Sequence, residues 1–417
     1  MISQDRLAKH FAAMKNFSTP NCGAGINRLA FSDSDWQGRD YLISLMQDAG
    51  LAIRTDAFGN VIGRREGSSP ALPAIMFGSH GDSVPSGGNY DGVVGILCAI
   101  EAVKSMQEDG FQNEHPLEVV LFMSEESSRF GSATLGSKAM RGELTVKDLQ
   151  RLTDKNGTTL YEALKSRALD PDHIEKATYK DPLKAFFEVH IEQGKVLEHE
   201  KKSLGIVTGI AAPTRFKVYL HGSADHSGAT PMTLRSDGLC AAAEIILQVE
   251  KLAAAQTSPG IVGTVGVIRI HPGAMNVIPG EVELGIDIRS ISAAAKAEVT
   301  AKVLDSIDTI TAARSITYDI EKLSDEIPVS MKPEMICFFE KLCRQQNRSF
   351  MTLPSGAGHD AMHWASYTHT GMLFIPCKDG ISHNPAESAK IEDIILVAEL
   401  LEESVKMVSK KEFTWNA

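Results

Sequence analysis

The sequence predicts an α/β fold, in which a mostly parallel sheet is covered by helices on both faces and a smaller α+β domain is inserted. Three observations lead to this prediction. Short, continuously apolar strands alternate with amphipathic helices in the first half of the chain, as in a parallel sheet buried on both sides. Paired strands and long helices then replace that alternation. With 417 residues, the chain also exceeds the size at which one hydrophobic core usually stops growing, so two domains are expected.

The first domain is predicted from the alternation between residues 35 and 210. Its elements are a helix at 36–49 that ends at Gly50, two short strands around 56–64, a strand at 74–77, a helix at 93–106, and strands at 117–123 and 185–189. In a parallel sheet, ligands bind beyond the carboxyl ends of the strands. Polar residues that directly follow these apolar runs are therefore candidates for a functional site.

An inserted domain is predicted between residues 212 and 325. Its elements are strands at 215–220, 263–270, 281–289 and 316–321, with helices at 237–255 and 293–310. In chain order they give β-α-β-β-α-β, which is the split ferredoxin-like arrangement. A helix at 333–346, a strand at 373–375 and a closing helix at 391–407 then return to the first domain. The expected domains are residues 1–211 with 326–417, and the insertion 212–325.

Composition and charge exclude several classes of protein. Hydrophobic residues make up 43% and charged residues 23% of the chain, as in an ordinary soluble globular protein. The net charge of −11 disfavours nucleic acid or an anionic membrane as a partner. No apolar stretch reaches the roughly 20 residues that span a bilayer, and the N-terminal stretch lacks the apolar core of a signal peptide, so a cytoplasmic location is expected. The six cysteines show no metal or disulfide spacing and are expected to be buried free thiols.

Five side chains that commonly bind metals stand in glycine-rich or strand-end contexts. They are His80 in GSHGDS, Asp91 in GGNYDG, Glu126 in MSEES, His190 in EVHIEQG and His383 in GISHNPAE. Imidazoles combined with carboxylates suit zinc or manganese, and a pair of such ions needs about five or six protein ligands with a bridging carboxylate. Since no short ligand pair such as HExxH occurs, these residues must converge from distant parts of the chain. Together they predict a two-metal hydrolase.

Residues next to the candidate ligands indicate catalytic and supporting roles. Glu125 and Glu126 follow a very apolar strand, and adjacent side chains at a strand end point in different directions. Glu126 is therefore assigned to a metal, and Glu125 to the general base that later protonates the leaving nitrogen. Asp82 is placed to orient the His80 imidazole. Taken singly, each residue also has an ordinary structural explanation, such as a helix N-cap for Asp91.

Further motifs occur together with these along nearly the whole chain. In order, the motifs are GSHGDS, GGNYDG, SEES, VHIEQG, DHSGATPM, NVIPG, DIRS, PSGAGHDA and DGISHNPAE. With them, the chain resembles the amidase branch of the aminoacylase-type dinuclear metallohydrolases, which includes N-carbamoyl-L-amino acid and allantoate amidohydrolases. The resemblance implies that the inserted ferredoxin-like domain is a lid and a dimerisation domain. Short linkers near residues 210 and 326 would let it hinge over the metal cleft.

The resemblance also implies two divalent metal ions per subunit, zinc or manganese, with cobalt or nickel as alternatives. It divides the ligands between them. One ion would lie on His80, Asp91 and His190, and the other on Asp91, Glu126 and His383. Asp91 thus bridges the two ions, and Glu125 is the acid and base of the reaction.

Substrate contacts are implied in the same way. The residues expected to contact the substrate are Gln193, Asn276, Arg289, Gly356, Ala357 and Gly358. Arg289 offers a planar cation for an α-carboxylate, and Asn276 adds directional hydrogen bonds. His359 and Asp360 could support the substrate loop. His226 is expected to cross the interface of a homodimer and to polarise the scissile carbonyl in the partner's site.

The implied reaction is hydrolysis of the C–N bond of the carbamoyl (ureido) group of an N-carbamoyl-L-amino acid by a metal-bound hydroxide. Pro213 and Thr214 stand where a Gln-Arg pair is associated with the allantoate enzymes, which favours the carbamoyl amino acid. Hydrolysis of allantoate to ureidoglycine, ammonia and CO2 is the main alternative, followed by hydrolysis of an N-acyl amino acid or a peptide. A non-catalytic metal-binding scaffold is the alternative from another class, but it would not need the free carboxylate of Glu125.

Overall fold

Two compact units make up the chain in a computed structural model that describes residues 1–256 and 260–415. Unit 1 comprises Met1–Thr208, Met331–Leu353 and Gly358–Ala417. Unit 2 comprises Gly209–Ser330 and Pro354–Ala357. Along the sequence, unit 2 is therefore mostly one continuous segment between two parts of unit 1.

Strands and helices alternate through most of the chain. Among the described residues, the strands are β1 (Ala52–Thr55), β2 (Val61–Arg65), β3 (Ala74–His80), β4 (Leu117–Phe122), β5 (Leu183–Ile191), β6 (Leu204–Ile210), β7 (Ala212–His221), β8 (Val262–His271), β9 (Glu281–Ser290), β10 (Thr317–Asp325), β11 (Val329–Ser330), β12 (Phe350–Ser355) and β13 (His369–Ile375). The α-helices are α1 (Gln4–Met14), α2 (Asp33–Asp48), α3 (Val93–Glu108), α4 (Leu135–Met140), α5 (Val146–Arg151), α6 (Leu160–Ser166), α7 (Val196–His199), α8 (Gly238–Ala254), α9 (Ala293–Ala313), α10 (Pro333–Gln345) and α11 (Ile391–Val408).

The larger sheet has nine strands in the order β1-β2-β4-β3-β5-β13-β6-β11, with β12 paired to β6. Its centre is parallel, because β3 runs parallel to β4 and β5, and β13 runs parallel to β5. The strands toward both edges are antiparallel. Strands β3 and β4 are buried along their whole length, which explains their continuous apolar sequence. Gly78 lets them lie close together, since a Cβ there would come within 1.9 Å of the Val120 carbonyl oxygen.

The main core of unit 1 lies between this sheet and the helices that cover it. Helix α3 is buried almost all round and contacts α1, α11, β3 and β5. A second, smaller cluster forms where α4, α5 and α6 meet the turn at Phe58. Burial of α3 fixes the loop that precedes it, and this loop carries one of the candidate ligands.

Unit 2 contains a four-stranded antiparallel sheet in the order β10-β7-β9-β8. Its elements follow the chain order β7-α8-β8-β9-α9-β10. Buried and partly exposed residues alternate along β7 and β9, so one face of the sheet is covered and the other is open. Helices α8 and α9 cover the buried face, where Val218, Leu284, Ile245 and Val303 share one core.

The expectation of a mixed α/β fold with a largely parallel central sheet is confirmed. Helix α1, strand β6 and the short helices α4 to α6 were not predicted. The six cysteines are free thiols, but burial was expected for all of them and is wrong for three. Cys98, Cys343 and Cys377 are buried, Cys337 is half-buried, and Cys22 and Cys240 are exposed. Within the described residues, no helix is both long and apolar enough to cross a membrane.

Candidate metal centre

The parallel strands bring three candidate ligand positions to one edge of the sheet. His80 is the last residue of β3, and His190 lies one residue before the end of β5. Glu126 follows β4 after a short turn. Because β3 pairs with both β4 and β5 in parallel, the carboxyl ends of the three strands meet.

Two loops supply the remaining candidate ligands. Asp91 immediately precedes Gly92, which has φ +65° and begins α3. A Cβ at Gly92 would come within 2.4 to 2.5 Å of three atoms of the His80 ring, so only glycine fits between this turn and the imidazole. His383 comes from the loop between β13 and α11, where its backbone adopts φ +54°.

Asp91 lies between the histidines and uses both carboxylate oxygens. Its Oδ1 is 3.0 Å from Nε2 of His190 and 3.6 Å from Nε2 of His80. Its Oδ2 is 3.0 Å from Nε2 of His383. Each oxygen therefore faces a different set of imidazoles, which is the arrangement of a carboxylate that bridges two ions.

The two neighbouring glutamates face different members of this group. Oε1 of Glu126 lies 3.3 Å from Nε2 of His383. Oε2 of Glu125 lies 3.7 Å from Nε2 of His80. The structure thus brings five candidate ligands into two sets that share one carboxylate, with ligand atoms within 4.8 Å of one another in each set. The sets are His80, Asp91 and His190, and Asp91, Glu126 and His383.

Asp82 supports both glutamates more directly than it supports the histidine. Its two carboxylate oxygens accept hydrogen bonds from the backbone N–H groups of Glu125 and Glu126, at 3.2 and 3.1 Å. The Nδ1 atom of His80 lies 3.2 Å from the backbone oxygen of Asp82 and 3.6 Å from the nearer carboxylate oxygen. The buried carboxylate therefore orients the turn that carries both glutamates, while its own backbone contacts the imidazole.

Glu387 and Ser382 hold the Asp91 loop. Oε1 of Glu387 accepts hydrogen bonds from the backbone N–H groups of Tyr90 and Asp91, at 2.8 and 3.1 Å. The Ser382 hydroxyl donates to Oε2 of Glu387 at 2.9 Å, and it also lies 3.2 Å from Oδ2 of Asp91. These contacts tie the loop of His383 to the loop of Asp91. Neither residue was predicted to belong to the site, although the DGISHNPAE motif contains both.

His190 is held by its backbone and by a second histidine. Its Nδ1 lies 2.9 Å from the Ile191 carbonyl oxygen, so Nδ1 carries the proton. Nε2 therefore carries the lone pair, which accepts from the Gly92 N–H at 3.2 Å in this structure and could bind a cation instead. The His359 ring packs edge-on against the His190 ring, with 4.5 Å between the ring centroids. On the same strand, Glu188 accepts hydrogen bonds from the Ser79 hydroxyl and the Ala361 N–H, both at 2.8 Å. Glu188 was not predicted to belong to the site, although an acidic residue inside the apolar run AFFEVHI is a signal that could have revealed it.

Electrostatics favour positive charge at this centre. Burial alone would lower the pKa of His80, but Glu125 and Asp82 raise it well above the usual value. Burial would raise the pKa of Asp91, but His190 and the other two imidazoles hold it well below the usual value. Buried carboxylates need such cationic partners. The imidazole and carboxylate donors, together with this demand for positive charge, fit two divalent ions.

Gln193 lies among the candidate ligands. Its Nε2 donates to Oδ2 of Asp91 at 2.8 Å, and it lies 3.3 Å from both the Ser382 hydroxyl and Nε2 of His383. Its Oε1 is buried and has no hydrogen-bond partner within the described part of the chain. The amide therefore holds the Asp91 carboxylate in this structure, and its contact with substrate stays a prediction.

The remaining candidate residues for substrate lie mainly in unit 2. His226 and Asn276 are neighbours there, because the Ser227 N–H donates to the Asn276 carbonyl at 3.0 Å. Nδ1 of His226 accepts hydrogen bonds from the N–H groups of Gly228 and Ala229, at 3.1 and 3.2 Å. The proton of a neutral His226 ring therefore sits on Nε2, where it can be donated to a carbonyl oxygen.

Arg289 is also in unit 2, with Gly356 and Ala357, whereas Gly358 belongs to unit 1. Nη1 of Arg289 donates to the Gly356 carbonyl at 3.0 Å. Asp360 lies in unit 1, where its Oδ1 accepts a 2.5 Å hydrogen bond from the Ser137 hydroxyl. His359 thus contacts the candidate ligand His190 and Asp360 contacts Ser137, and their support of the substrate loop stays a prediction.

Comparisons with known proteins reveal similarity over most of the chain. The model of peptidase family M20/M25/M40 matches residues 76–407. An N-carbamoyl-L-amino-acid amidohydrolase from Pseudomonas sp. (strain NS671) is 41% identical over 97% of this chain and 98% of its own length. An allantoate deiminase from Arabidopsis thaliana is 37% identical over 84% of this chain and 72% of its own length. The crystal structure of a hydantoinase/carbamoylase family amidase from Burkholderia multivorans superposes with a TM-score of 0.91 at 33% identity, covering 98% of each chain.

Proposed function

Because this chain belongs to peptidase family M20/M25/M40 and is a hydrolase of carbon–nitrogen bonds, we propose that it hydrolyses the carbamoyl group of N-carbamoyl-L-amino acids. The observation that carries the proposal is the position of Glu125. This carboxylate lies beside the two sets of ligands that share Asp91 and belongs to neither set. Similarity to an N-carbamoyl-L-amino-acid amidohydrolase over nearly the whole chain supports the choice of substrate.

Residues of the centre have separate tasks in the proposed reaction. Divalent ions bound by the two ligand sets would polarise the ureido carbonyl and lower the pKa of a water molecule. Glu125 accepts a proton from the attacking water on a carboxylate oxygen. Attack on the ureido carbon is followed by cleavage of its bond to the α-amino nitrogen, and Glu125 returns the proton to that nitrogen. The free amino acid leaves, and the remaining carbamate decomposes to ammonia and CO2. Gln193 keeps Asp91 in place during these steps through its 2.8 Å hydrogen bond.

Residues of unit 2 recognise the substrate in this proposal. Nε2–H of His226 donates to the carbonyl oxygen as negative charge develops on it. Arg289 binds the α-carboxylate through two parallel N–H groups. Asn276, which lies beside His226, adds a hydrogen bond to the α-carboxylate. Unit 2 acts as a lid in this scheme.

A homodimer places His226 in the partner's site, and the open edge of unit 2 supports such an assembly. Strand β8 is an edge strand of the sheet. Four large apolar side chains on it are 39 to 52% exposed. They are Val262, Val267, Ile268 and Ile270. An apolar edge strand with free backbone groups pairs readily with a second copy of itself.

Allantoate is the second candidate substrate, because the chain is also similar to an allantoate deiminase. Pro213 and Thr214 argue against it, since the polar pair associated with the allantoate enzymes is missing at these positions. A comparison of N-carbamoyl-L-methionine, allantoate and N-acetyl-L-methionine under the same conditions would distinguish the three classes of substrate.

Ammonia release from N-carbamoyl-L-methionine tests the proposed function. The protein is loaded with manganese, cobalt or zinc, and each sample is assayed with and without a chelator. We expect turnover that the chelator abolishes. No turnover with any of the three metals, in protein shown to have bound them, would contradict the proposal and favour a metal-binding scaffold.

A further inference from the structure

A cavity of about 540 Å³ lies on the open face of the sheet in unit 2. Arg215, Arg289, Val262 and Leu323 are among the residues that line it. Gly285 also lines the cavity, and a Cβ there would come within 2.9 Å of the Val267 side chain. The face is therefore concave because a central position of β9 carries no side chain.

Asp287 holds two arginines at this cavity. It lies directly opposite Arg215 on the neighbouring strand β7 and two residues before Arg289 on its own strand. Nε and Nη2 of Arg289 donate to its two oxygens at 3.0 and 3.1 Å. Nε of Arg215 donates to Oδ2 at 2.8 Å. Since Oδ2 accepts from both guanidinium groups, the two cations lie side by side.

One carboxylate cannot neutralise two guanidinium groups. Burial alone would raise the pKa of Asp287, but hydrogen bonds from Arg289 and Arg215 lower it below its usual value. Asp287 is therefore ionised at neutral pH and contributes a single negative charge. A net positive charge is left at the wall of the cavity, where it can attract an anion.

The two arginines keep different numbers of free donors. A guanidinium group carries five N–H donors. Arg289 directs three of them to Asp287 and to the Gly356 carbonyl. Arg215 directs only its Nε–H to Asp287. Its terminal nitrogens have no acceptor among the described residues. Both are therefore free to donate two parallel hydrogen bonds to the two oxygens of one carboxylate.

We propose that Arg215 is a second anion-recognition residue beside Arg289, and that the cavity accepts a ligand with two carboxylates. The proposal rests on the proposed function and makes it more specific. N-carbamoyl amino acids with acidic side chains are the preferred substrates, with the α-carboxylate on Arg289 and the side-chain carboxylate on Arg215. Val262 and Leu323 contact the methylene groups between them.

Isosteric substrates test this specificity. N-carbamoyl-L-glutamate is compared with N-carbamoyl-L-glutamine, which has nearly the same shape but no side-chain charge. A hydrogen bond to a charged group changes affinity by about 10-fold to 100-fold, and we expect kcat/KM to favour the glutamate by this factor, mainly through KM. In Arg215→Gln the preference is lost. Arg215→Lys keeps the charge without the planar fork, so part of the preference is retained.

Arg269→Gln is the matched control. Arg269 also donates from the same sheet to a carboxylate of β9, that of Glu283, at 3.1 Å, but it does not line the cavity. We expect the Arg269→Gln variant to prefer N-carbamoyl-L-glutamate over N-carbamoyl-L-glutamine as strongly as the unmodified protein does. Equal kcat/KM for the two substrates in the unmodified protein, or an unchanged preference in Arg215→Gln, would overturn the proposal. In either case, turnover of N-carbamoyl-L-methionine would leave the proposed function intact.

Binding to the metal-free protein provides a readout that does not depend on activity. Glutarate and butyrate carry two and one carboxylates on chains of similar length. Calorimetry is expected to show tighter binding of glutarate, with the difference absent in Arg215→Gln and present in Arg269→Gln. Equal affinities for the two acids in the unmodified protein would contradict a cavity for two carboxylates, even if the chain hydrolysed none of the ureido substrates.

Discussion

Neighbouring residues of the metal centre do different work because their side chains leave the backbone in different directions. Glu125 and Glu126 share one buried partner, Asp82, which accepts from both of their N–H groups. Beyond that turn, Glu126 reaches His383 and Glu125 reaches His80. The proposed metal ligand and the proposed proton carrier are thus held by a single turn.

Replacement of Glu125 by glutamine separates these two tasks. An amide keeps the size of the carboxylate but cannot take a proton, so kcat for carbamoyl amino acid hydrolysis should fall by about 100-fold to 10,000-fold, the usual contribution of a general acid and base. Metal content, measured by mass spectrometry of the loaded protein, should be unchanged. The same change at exposed Glu175 serves as the control and should affect neither quantity. Full activity of Glu125→Gln would disprove the role of Glu125 as base.

Single residues also show the limit of prediction from sequence. His80, Glu126 and His190 could be recognised as candidate ligands because metals require particular ligand types and because these residues stand at the ends of apolar strands. The acidic residue Glu188 stands out in its apolar run, but the partners of Glu188 and Glu387 could not be predicted. Each of them satisfies backbone N–H groups of another segment, and no local pattern shows which distant amide lacks an acceptor. The contact of Asp287 with both Arg215 and Arg289 was not predicted for the same reason. It depends on the strand register that places Arg215 opposite Asp287.

At the scale of elements, the entry into α3 determines how closely Asp91 can approach the histidines. Gly92 and Gly110 stand near the two ends of this helix with almost the same φ, +65° and +67°. A Cβ at Gly92 would press on the His80 ring, whereas one at Gly110 would meet no atom within 4 Å. Substitutions at the two glycines therefore separate the effect of backbone strain, which both share, from displacement of His80, which only Gly92 can cause.

Alanine substitutions at these glycines should behave differently. Both force an L-residue into the left-handed region, which should lower the free energy of unfolding by roughly 1–2 kcal/mol in each variant. Contact of the new Cβ with the buried His80 ring should lower it further in Gly92→Ala. Only Gly92→Ala should also lower metal affinity, by about 10-fold to 100-fold, as is usual when a group that positions a ligand is disturbed. Chemical denaturation of the metal-free protein and competition with a fluorescent chelator measure the two effects. Equal metal affinity in both variants would show that the approach of Gly92 to His80 does not matter.

Long regular elements could be predicted well from the sequence, and irregular ones could not. Strands β3 and β4 are buried on both faces, so their apolar runs mark them clearly. Strand β9 is buried on one face, and its alternation was visible. The short helices α4 to α6 gave no clear signal, because six or seven residues are too few to establish a helical period. Their formation depends on packing around Phe58 and on the capping threonines Thr145 and Thr159.

At the scale of the whole molecule, each unit has a hydrophobic core of its own. Unit 2 packs α8 and α9 on its antiparallel sheet, and the main core of unit 1 surrounds α3. Candidate metal ligands lie only in unit 1, within the described part of the chain. Metal binding should therefore stabilise one unit and leave the stability of the other unchanged.

Differential scanning calorimetry with and without chelator tests this expectation. Two transitions should appear, and removal of metal should lower the temperature of one only, since a ligand present at 100 times its Kd contributes about 2.7 kcal/mol. Leu121→Ala in unit 1 and Leu284→Ala in unit 2, both fully buried, should each lower one transition, because such changes cost about 2–5 kcal/mol. The transition lowered by Leu121→Ala should be the one that responds to chelator. If the chelator instead lowered the temperature of the transition that Leu284→Ala identifies as unit 2, metal binding would not stabilise unit 1 alone.

The order of the ligands along the chain has a consequence for synthesis on the ribosome. His80, Asp91, Glu126 and His190 all precede the long segment that forms unit 2, and His383 follows it. A growing polypeptide thus completes the three-ligand set around His190 early, but it completes the set around Glu126 only after the whole of Gly209–Ser330 has been translated. Hydrolysis that requires both ions therefore cannot begin on a nascent chain until nearly all of its length has been made.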